Sequence, residues 1–168
     1  KKIAEGRTEK TINPLQRGTI ACVLVPFLSW SYSKDSFMHI SPLTSLSVIG
    51  QGKLGCPIAA ALATRGFQVV GVDSAAQRVE VINRGQPPVY EPGLRELLQQ
   101  AGDNYHATTD LTQAVLNTQA SFIIVPTPSA ADGSFQLQAV LSVCEQLGAA
   151  LARKNDYHLV VITSTVMP

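Results

Sequence analysis

The sequence predicts an α/β fold, a doubly wound parallel sheet over residues 45–168, behind a dissimilar extension over residues 1–44. Three observations carry that expectation. Apolar, β-branched runs alternate with segments of helical period, the order that builds a parallel sheet covered on both faces. The first run breaks directly into Gly50-Gln51-Gly52-Lys53-Leu54-Gly55 and an alanine-rich helix. The second run ends on an acid, Asp73, eighteen residues after Gly55.

Leu46, Val48 and Ile49 mark the first strand, and the alanine-rich helix runs to about Arg65, where Gly66 stops it. Residues 67–72 form the second strand. Strand, Gly-x-Gly-x-x-Gly turn, helix, strand and acid make up a dinucleotide-binding βαβ fingerprint. Each position has a physical task. Gly50 permits the tight turn, Gly52 has no Cβ to hold the backbone away from a pyrophosphate, and Gly55 lets the helix lie close to the sheet. The amides at the helix start, with the positive end of its dipole, then face the phosphates. Asp73 accepts hydrogen bonds from the adenosine ribose, and its charge repels a 2′-phosphate, so NAD is expected over NADP.

Residues 75–84 read as a helix carrying Val79 and Ile82, with Gly85 as its stop. A proline-marked loop follows at 86–90, and Glu91-Pro92-Gly93 is expected to open the next helix, proline sitting in its first turn. Leu94, Leu97 and Leu98 give that helix one apolar face. Residues 105–108 form a short strand, and Asp110 is a good N-cap for a helix over 111–117. The apolar run 122–125 reads as a buried strand, and 126–135 as a loop at its carboxyl end. A long helix follows with Leu137, Val140, Leu141, Cys144, Leu147 and Leu151 at helical spacing, which places Cys144 in the core. Residues 159–162 are the last strand, ending at Thr163, Ser164 and Thr165. Ligands of such sheets bind at the carboxyl ends of the strands. That edge here presents Gly50 to Gly55, Asp73, Thr108, residues 126–129, Ser164 and Thr165.

Composition narrows the function classes. Hydrophobic residues make up 45% and charged residues 15%, the balance of a globular chain. Residues 1–44 carry six Lys/Arg against three acids, and residues 45–168 seven against nine. The folded part therefore has no basic excess to attract nucleic acid or an anionic membrane. Cys22, Cys56 and Cys144 are odd in number and far apart, without zinc spacing, which fits a reducing, cytoplasmic setting. The apolar stretch 19–30 is interrupted by Pro26 and too short for a span, which needs about twenty residues. It also lacks the small-residue cleavage site of a secretory leader. The extension is expected to be poorly ordered and outside the domain, with Met38 as the natural start of translation.

SVIGQGKLGCP, GVD followed by Arg78-Val79, INRG, YEPGL, ATTDL, FIIVPTPS and ITSTVMP stand in the order seen in one family. Over residues 45–168 the chain resembles the N-terminal, Rossmann-type NAD-binding domain of the UDP-glucose/GDP-mannose 6-dehydrogenases. YEPGL looks more like the glucose and mannose branches than the N-acetylmannosamine one. The resemblance implies oxidation of a sugar C6 alcohol to the carboxylate, with two NAD per sugar and a covalent cysteine intermediate. It implies a nucleotide-sugar substrate and, for a full-length relative, a homodimer. Gly50, Gly52, Lys53, Leu54 and Gly55 would cradle the pyrophosphate, Asp73 the ribose, and Arg78 would pack near the adenosine. Thr108, Val125, Pro126 and Thr127 would line the cofactor channel. Ser164 and Thr165 would lie near the nicotinamide, Thr165 helping to hold the catalytic water. The family's nucleophilic cysteine, in a Gly-Gly-x-Cys-Phe-Pro-Lys-Asp segment, is expected beyond Pro168, so the chain reads as a fragment that is inactive alone. No metal site is expected. A dehydrogenase of the hydroxyacid or hydroxyacyl type shares the βαβ unit and remains an alternative, as does a non-catalytic NAD-sensing domain.

Overall fold

The computed structural model describes residues 42–129 and 134–164. The expectations for the extension before residue 42, including Cys22 and Met38, fall outside the described residues, as does Thr165. Strand β1 (Ser45–Ile49) leads through the glycine turn into helix α1 (Gly55–Thr64) and strand β2 (Gln68–Val72). Helices α2 (Ala76–Asn83) and α3 (Leu94–Ala101) precede strand β3 (Tyr105–Thr108). Helix α4 (Leu111–Leu116), strand β4 (Ala120–Ile123), helix α5 (Gln138–Leu151) and strand β5 (Leu159–Ile162) complete the order. The five strands form one sheet, β3-β2-β1-β4-β5, with every neighbouring pair parallel. That is the doubly wound arrangement expected from the alternation of apolar runs and helical segments.

The two faces of the sheet bury separate cores. Leu46, Val48 and Val69 pack with Ala59, Ala60 and Ala63 of α1 and with Leu94 and Leu98 of α3. On the other face Ile49, Val70, Val72 and Ile123 pack with Leu111 and Val115 of α4 and with Leu147 and Leu151 of α5. Successive strand residues point to opposite faces, so the continuous apolar runs feed both cores at once.

Three local expectations are corrected. Gly93 caps α3 in the left-handed region at φ 80, so the helix begins at Leu94 and Pro92 lies ahead of its cap, not in its first turn. The fourth strand sits two residues earlier than 122–125, because its pairing starts with Ala120 opposite Leu46. On α5 the buried side chains are Val140, Leu147, Ala150 and Leu151. Leu141 follows Val140 by about 100° around the helix and stands 54% exposed, whereas Cys144 is half-buried and packs against the second core at its edge.

The strand ends stay hydrogen-bonded as the chain leaves them. Gly50 N donates to Val72 O at 2.7 Å, Ile124 N to Ile49 O at 2.8 Å, and Thr163 N to Ile123 O at 3.0 Å. Three loops are thereby brought to one edge. At the opposite end of the sheet, Gln68 N donates to Thr44 O at 2.9 Å, tying the chain just ahead of β1 to β2.

Candidate cofactor-binding site

The carboxyl edge of the sheet opens into a cleft of about 430 Å³, lined by the turn residues Gly50, Gly52, Lys53, Leu54 and Gly55, by Asp73 and Arg78, by Ile124, Val125, Pro126 and Thr127, and by Thr163 and Ser164. Four strand ends supply this lining. The turn follows β1, the Asp73 segment follows β2, and the remaining walls follow β4 and β5.

The three glycines divide their labour as steric room dictates. Gly50 has φ 98, and a Cβ there would lie 2.2 Å from Ile124 O. A Cβ on Gly55 would lie 1.8 Å from Gly50 O, so α1 can start where it does only without a side chain at that position. Gly52 is different, because a Cβ there would meet nothing within 4 Å. The first two glycines are demanded by the protein's own backbone, whereas the third faces open space in the cleft. That is the position at which a pyrophosphate needs to approach the chain. Helix α1 starts at the cleft with no side-chain cap; Cys56 N and Ile58 N bond back to Gly52 O and Leu54 O at 3.2 Å and Pro57 carries no N–H, so what the helix turns toward an anion is the positive end of its dipole.

Asp73 is only 7% exposed and is held from two sides. Its Oδ2 accepts from Gln51 N at 2.8 Å and from Arg78 Nη1 at 2.8 Å, and its Oδ1 accepts from Ala75 N at 2.9 Å. Burial alone would push the carboxyl upward, but the Ala75 and Gln51 amides and the Arg78 guanidinium outweigh it and hold it below the usual carboxylate range. Asp73 is therefore ionised at neutral pH, and two oxygens offering about four acceptor positions leave room for a ribose hydroxyl. Arg78, whose side chain is 37% exposed, forms an ion pair with this acid while lining the cleft. The cleft thus combines a glycine-floored anion site with an acid at the end of the second strand, and these residues fit NAD.

At the other end Ser164 closes a small ring. Its Oγ accepts from Val125 N at 3.0 Å and donates to Val125 O at 2.7 Å, clamping the loop after β4 against the end of β5. Lys53 and Leu54 are exposed at the turn, and Val125, Pro126 and Thr127 stand in the wall where the sequence places them. Thr108 is not among the residues lining this cleft. Its Oγ1 accepts from Asp110 N at 3.0 Å, and it borders a separate groove with Gln68 and His106. Ile124 and Thr163 line the cleft without having been singled out in the sequence; the anchoring of both loops to the strand ends is what brings them there.

Neither cysteine among the described residues is placed to act as a nucleophile in the cleft. Cys56 is fully buried in α1, and burial pushes its thiol up, against smaller opposing effects of the Tyr105 hydroxyl and the Arg78 charge. Cys144 lies on α5, outside the cleft. Among the described residues no group of three or more His, Cys, Asp or Glu is arranged to hold a metal ion, and no helix is long and apolar enough to cross a membrane.

Comparison with known proteins agrees with this geometry. Residues 44–168 match the model of the UDP-glucose/GDP-mannose dehydrogenase family, NAD binding domain. The UDP-glucose 6-dehydrogenase of Haloferax volcanii is 49% identical over 124 residues, covering 73% of this chain and 29% of that protein. The GDP-mannose 6-dehydrogenase of Azotobacter vinelandii is 42% identical over 125 residues, with the same shares of 73% and 29%. Among solved structures, a ternary complex of GDP-mannose dehydrogenase from Pseudomonas aeruginosa matches with a TM-score of 0.71 and 41% identity, covering 73% of this chain and 29% of that one. The chain spans less than a third of the length of these relatives. The hydroxyacid and hydroxyacyl alternative gives way to this match. The chain belongs to the UDP-glucose/GDP-mannose dehydrogenase family, and the part of that family it spans is the NAD-binding domain.

Proposed function

We propose that this chain is the cofactor-holding part of a nucleotide-sugar 6-dehydrogenase that oxidises the C6 alcohol of UDP-glucose or GDP-mannose to the carboxylate with two NAD. The observation that carries the reading is the cleft itself: the glycine turn, Asp73 and the Ser164-clamped loop converge there, within the stretch shared with dehydrogenases of both sugars. Bound NAD supplies the hydride acceptor for alcohol oxidation. The chain's own residues hold that acceptor in place. The glycine turn, with open space at Gly52 and the positive end of α1 behind it, would hold the pyrophosphate, and Asp73 would accept from the adenosine ribose. Val125, Pro126 and Thr127 form the wall on the far side of the turn, which Ser164 keeps in register. Thr165 follows directly and is proposed to hold the catalytic water. A cytoplasmic location and a homodimeric full-length enzyme go with this reading, the first supported by three widely spaced cysteines that offer no disulfide framework.

Covalent oxidation requires an activated thiolate held against the substrate carbonyl. Among the described residues, Cys56, which is buried, and Cys144, which lies outside the cleft, do not meet that requirement. The 168-residue chain is therefore expected to bind NAD and to leave sugar nucleotides unoxidised. Positioning of two reactants is worth about 7–11 kcal/mol, enough to place an unassisted rate below detection. The test is calorimetric titration with NAD, then incubation with NAD and either UDP-glucose or GDP-mannose while NADH absorbance is followed. Absence of NAD binding would refute the cofactor role. Sugar-dependent NADH production would show that a complete catalytic site lies within these residues.

A further inference from the structure

The geometry points to Gln51 and Tyr105 as a buried pair that positions Asp73 for the adenosine ribose and so sets both the grip on NAD and the rejection of a 2′-phosphate. This inference rests on NAD being the ligand of the cleft. In the Gly-x-Gly pattern the middle residue is unspecified, yet here its side chain is fully buried. Gln51 Nε2 donates to Val48 O at 2.6 Å, and the Tyr105 hydroxyl donates to Gln51 Oε1. Both ends of the amide are anchored, one to β1 and the other to β3. Gly71 of β2 makes the room, since a Cβ there would lie 2.9 Å from Gln51 Cδ and 3.0 Å from Tyr105 Cε2. The Tyr105 hydroxyl also lies 3.7 Å from Cys56 Sγ, so the same cluster reaches the first turn of α1.

The consequence falls on Asp73 through the backbone. Gln51 N is the donor that holds Asp73 Oδ2 from the side of the glycine turn, whereas Ala75 N and Arg78 Nη1 hold the carboxylate from the side of α2. With the Gln51 side chain anchored, the Gly50–Gln51 peptide cannot turn, and the carboxylate stays balanced between the two sides. With the anchor removed, that peptide is free to rotate and the remaining donors draw the acid toward α2. A shifted turn weakens binding of any dinucleotide, because its amides move as well. Displacement of the acid acts more selectively, since it relaxes the repulsion of a 2′-phosphate. The ratio of NAD to NADP affinity therefore reports on position, and thermal stability does not.

The experiment uses the full 168-residue chain and its Gln51→Leu, Tyr105→Phe and double variants. Each is titrated calorimetrically with NAD and with NADP and melted to show that it is folded. The unchanged chain is expected to prefer NAD. Gln51→Leu should weaken NAD about tenfold, the equivalent of one lost hydrogen bond, and should narrow the NAD-to-NADP ratio at least about threefold. Tyr105→Phe should move both quantities less, in the same direction, because Gln51 keeps its bond to Val48. The double variant should be no worse than Gln51→Leu alone, the non-additivity of residues acting as one unit. Folded variants that melt earlier but keep the original ratio would overturn the inference, as would additive losses. If Gln51→Leu does not fold, Tyr105→Phe decides alone, because it deletes one hydroxyl and leaves the ring over Gly71. An unchanged chain that binds no NAD would overturn the cofactor assignment and the inference with it.

Discussion

Acid should unfold this domain early, through His158. The imidazole is 4% exposed just ahead of β5, and it is tied into a polar chain that crosses the sheet. Lys154 Nζ lies 3.1 Å from its Nδ1, Ser121 Oγ lies 2.8 Å from its Nε2, and Ser121 Oγ is 2.7 Å from Ser47 Oγ. An ammonium has only donors, so Nδ1 must accept and Nε2–H donates to Ser121. Lys154 also donates to the carbonyls of Val115 and Thr118, capping the end of α4. Burial, followed by the Lys154 charge, lowers the His158 pKa to about 4, opposed only by the Thr118 carbonyl. In the unfolded chain the same group titrates near 6.5. The folded state therefore binds fewer protons between these values, and its stability is present in full above pH 6.5 and is lost as pH falls toward 4. The gap corresponds to about 3 kcal/mol, a large share of the 5–15 kcal/mol typical of a domain. Urea denaturation at intervals from pH 7 to pH 4.5 should show that loss in the unchanged chain. His158→Gln should start less stable at pH 7 and then stay nearly level down to pH 5. Equal slopes for the two proteins, or no slope for the unchanged one, would refute the reasoning.

The glycines supply a contrast. Gly55→Ala drives a Cβ to 1.8 Å from Gly50 O and should fail to fold or melt far earlier, whereas Gly52→Ala has nothing within 4 Å and should melt normally while losing NAD affinity in calorimetry. Asp73→Ala removes the acceptor of three donors and should cost about 1.5–3 kcal/mol of NAD binding, narrowing the preference over NADP; equal binding of both cofactors by the unchanged chain would contradict this. Ser164→Ala unclamps Val125 and should weaken NAD several-fold with a stability loss of about 1 kcal/mol, read from titration and urea midpoints; unchanged affinity would show that the wall does not depend on the clamp.

What was legible in the sequence is what depends on near neighbours in the chain. Strand, glycine turn, helix and terminal acid are all local patterns, and Gly50, Gly52, Gly55 and Asp73 meet in one cleft as their spacing implies. Asp110 was equally local, and its Oδ1 accepts from Gln113 N at 2.9 Å as an N-cap should. The remainder depends on register between strands distant in sequence. Nothing near Gln51 announces that Tyr105, fifty-four residues on, will supply its donor, or that Gly71 will leave the space. Ser164 was singled out as a residue near the nicotinamide, but its clamp on Val125 follows only from β4 and β5 being adjacent. The misplacement of Leu141 has a simpler cause. A helix of period 3.6 with several apolar residues admits more than one apolar stripe, and only the sheet decides which stripe is buried.

Cleft and sheet form one cooperative structure, because the loops that line the site continue the hydrogen bonding of the strands. Gly50 N bonds Val72 O, Asp73 N bonds Thr108 O at 3.2 Å, and Thr163 N bonds Ile123 O. Anything that binds the folded edge must therefore stabilise the whole sheet, including the distant end where His158 is buried. At a free concentration one hundred times its dissociation constant, a ligand contributes about 2.7 kcal/mol. That is close to the about 3 kcal/mol that protonation of His158 removes. The two effects act on one folding equilibrium although the groups concerned sit at opposite ends of the strands. NAD at that excess should accordingly move the acid unfolding of the chain to lower pH and restore most of its pH 7 urea midpoint at pH 5. NADP at the same concentration should do so less. An acid transition indifferent to NAD, in a chain shown by calorimetry to bind it, would mean that cleft and sheet unfold separately.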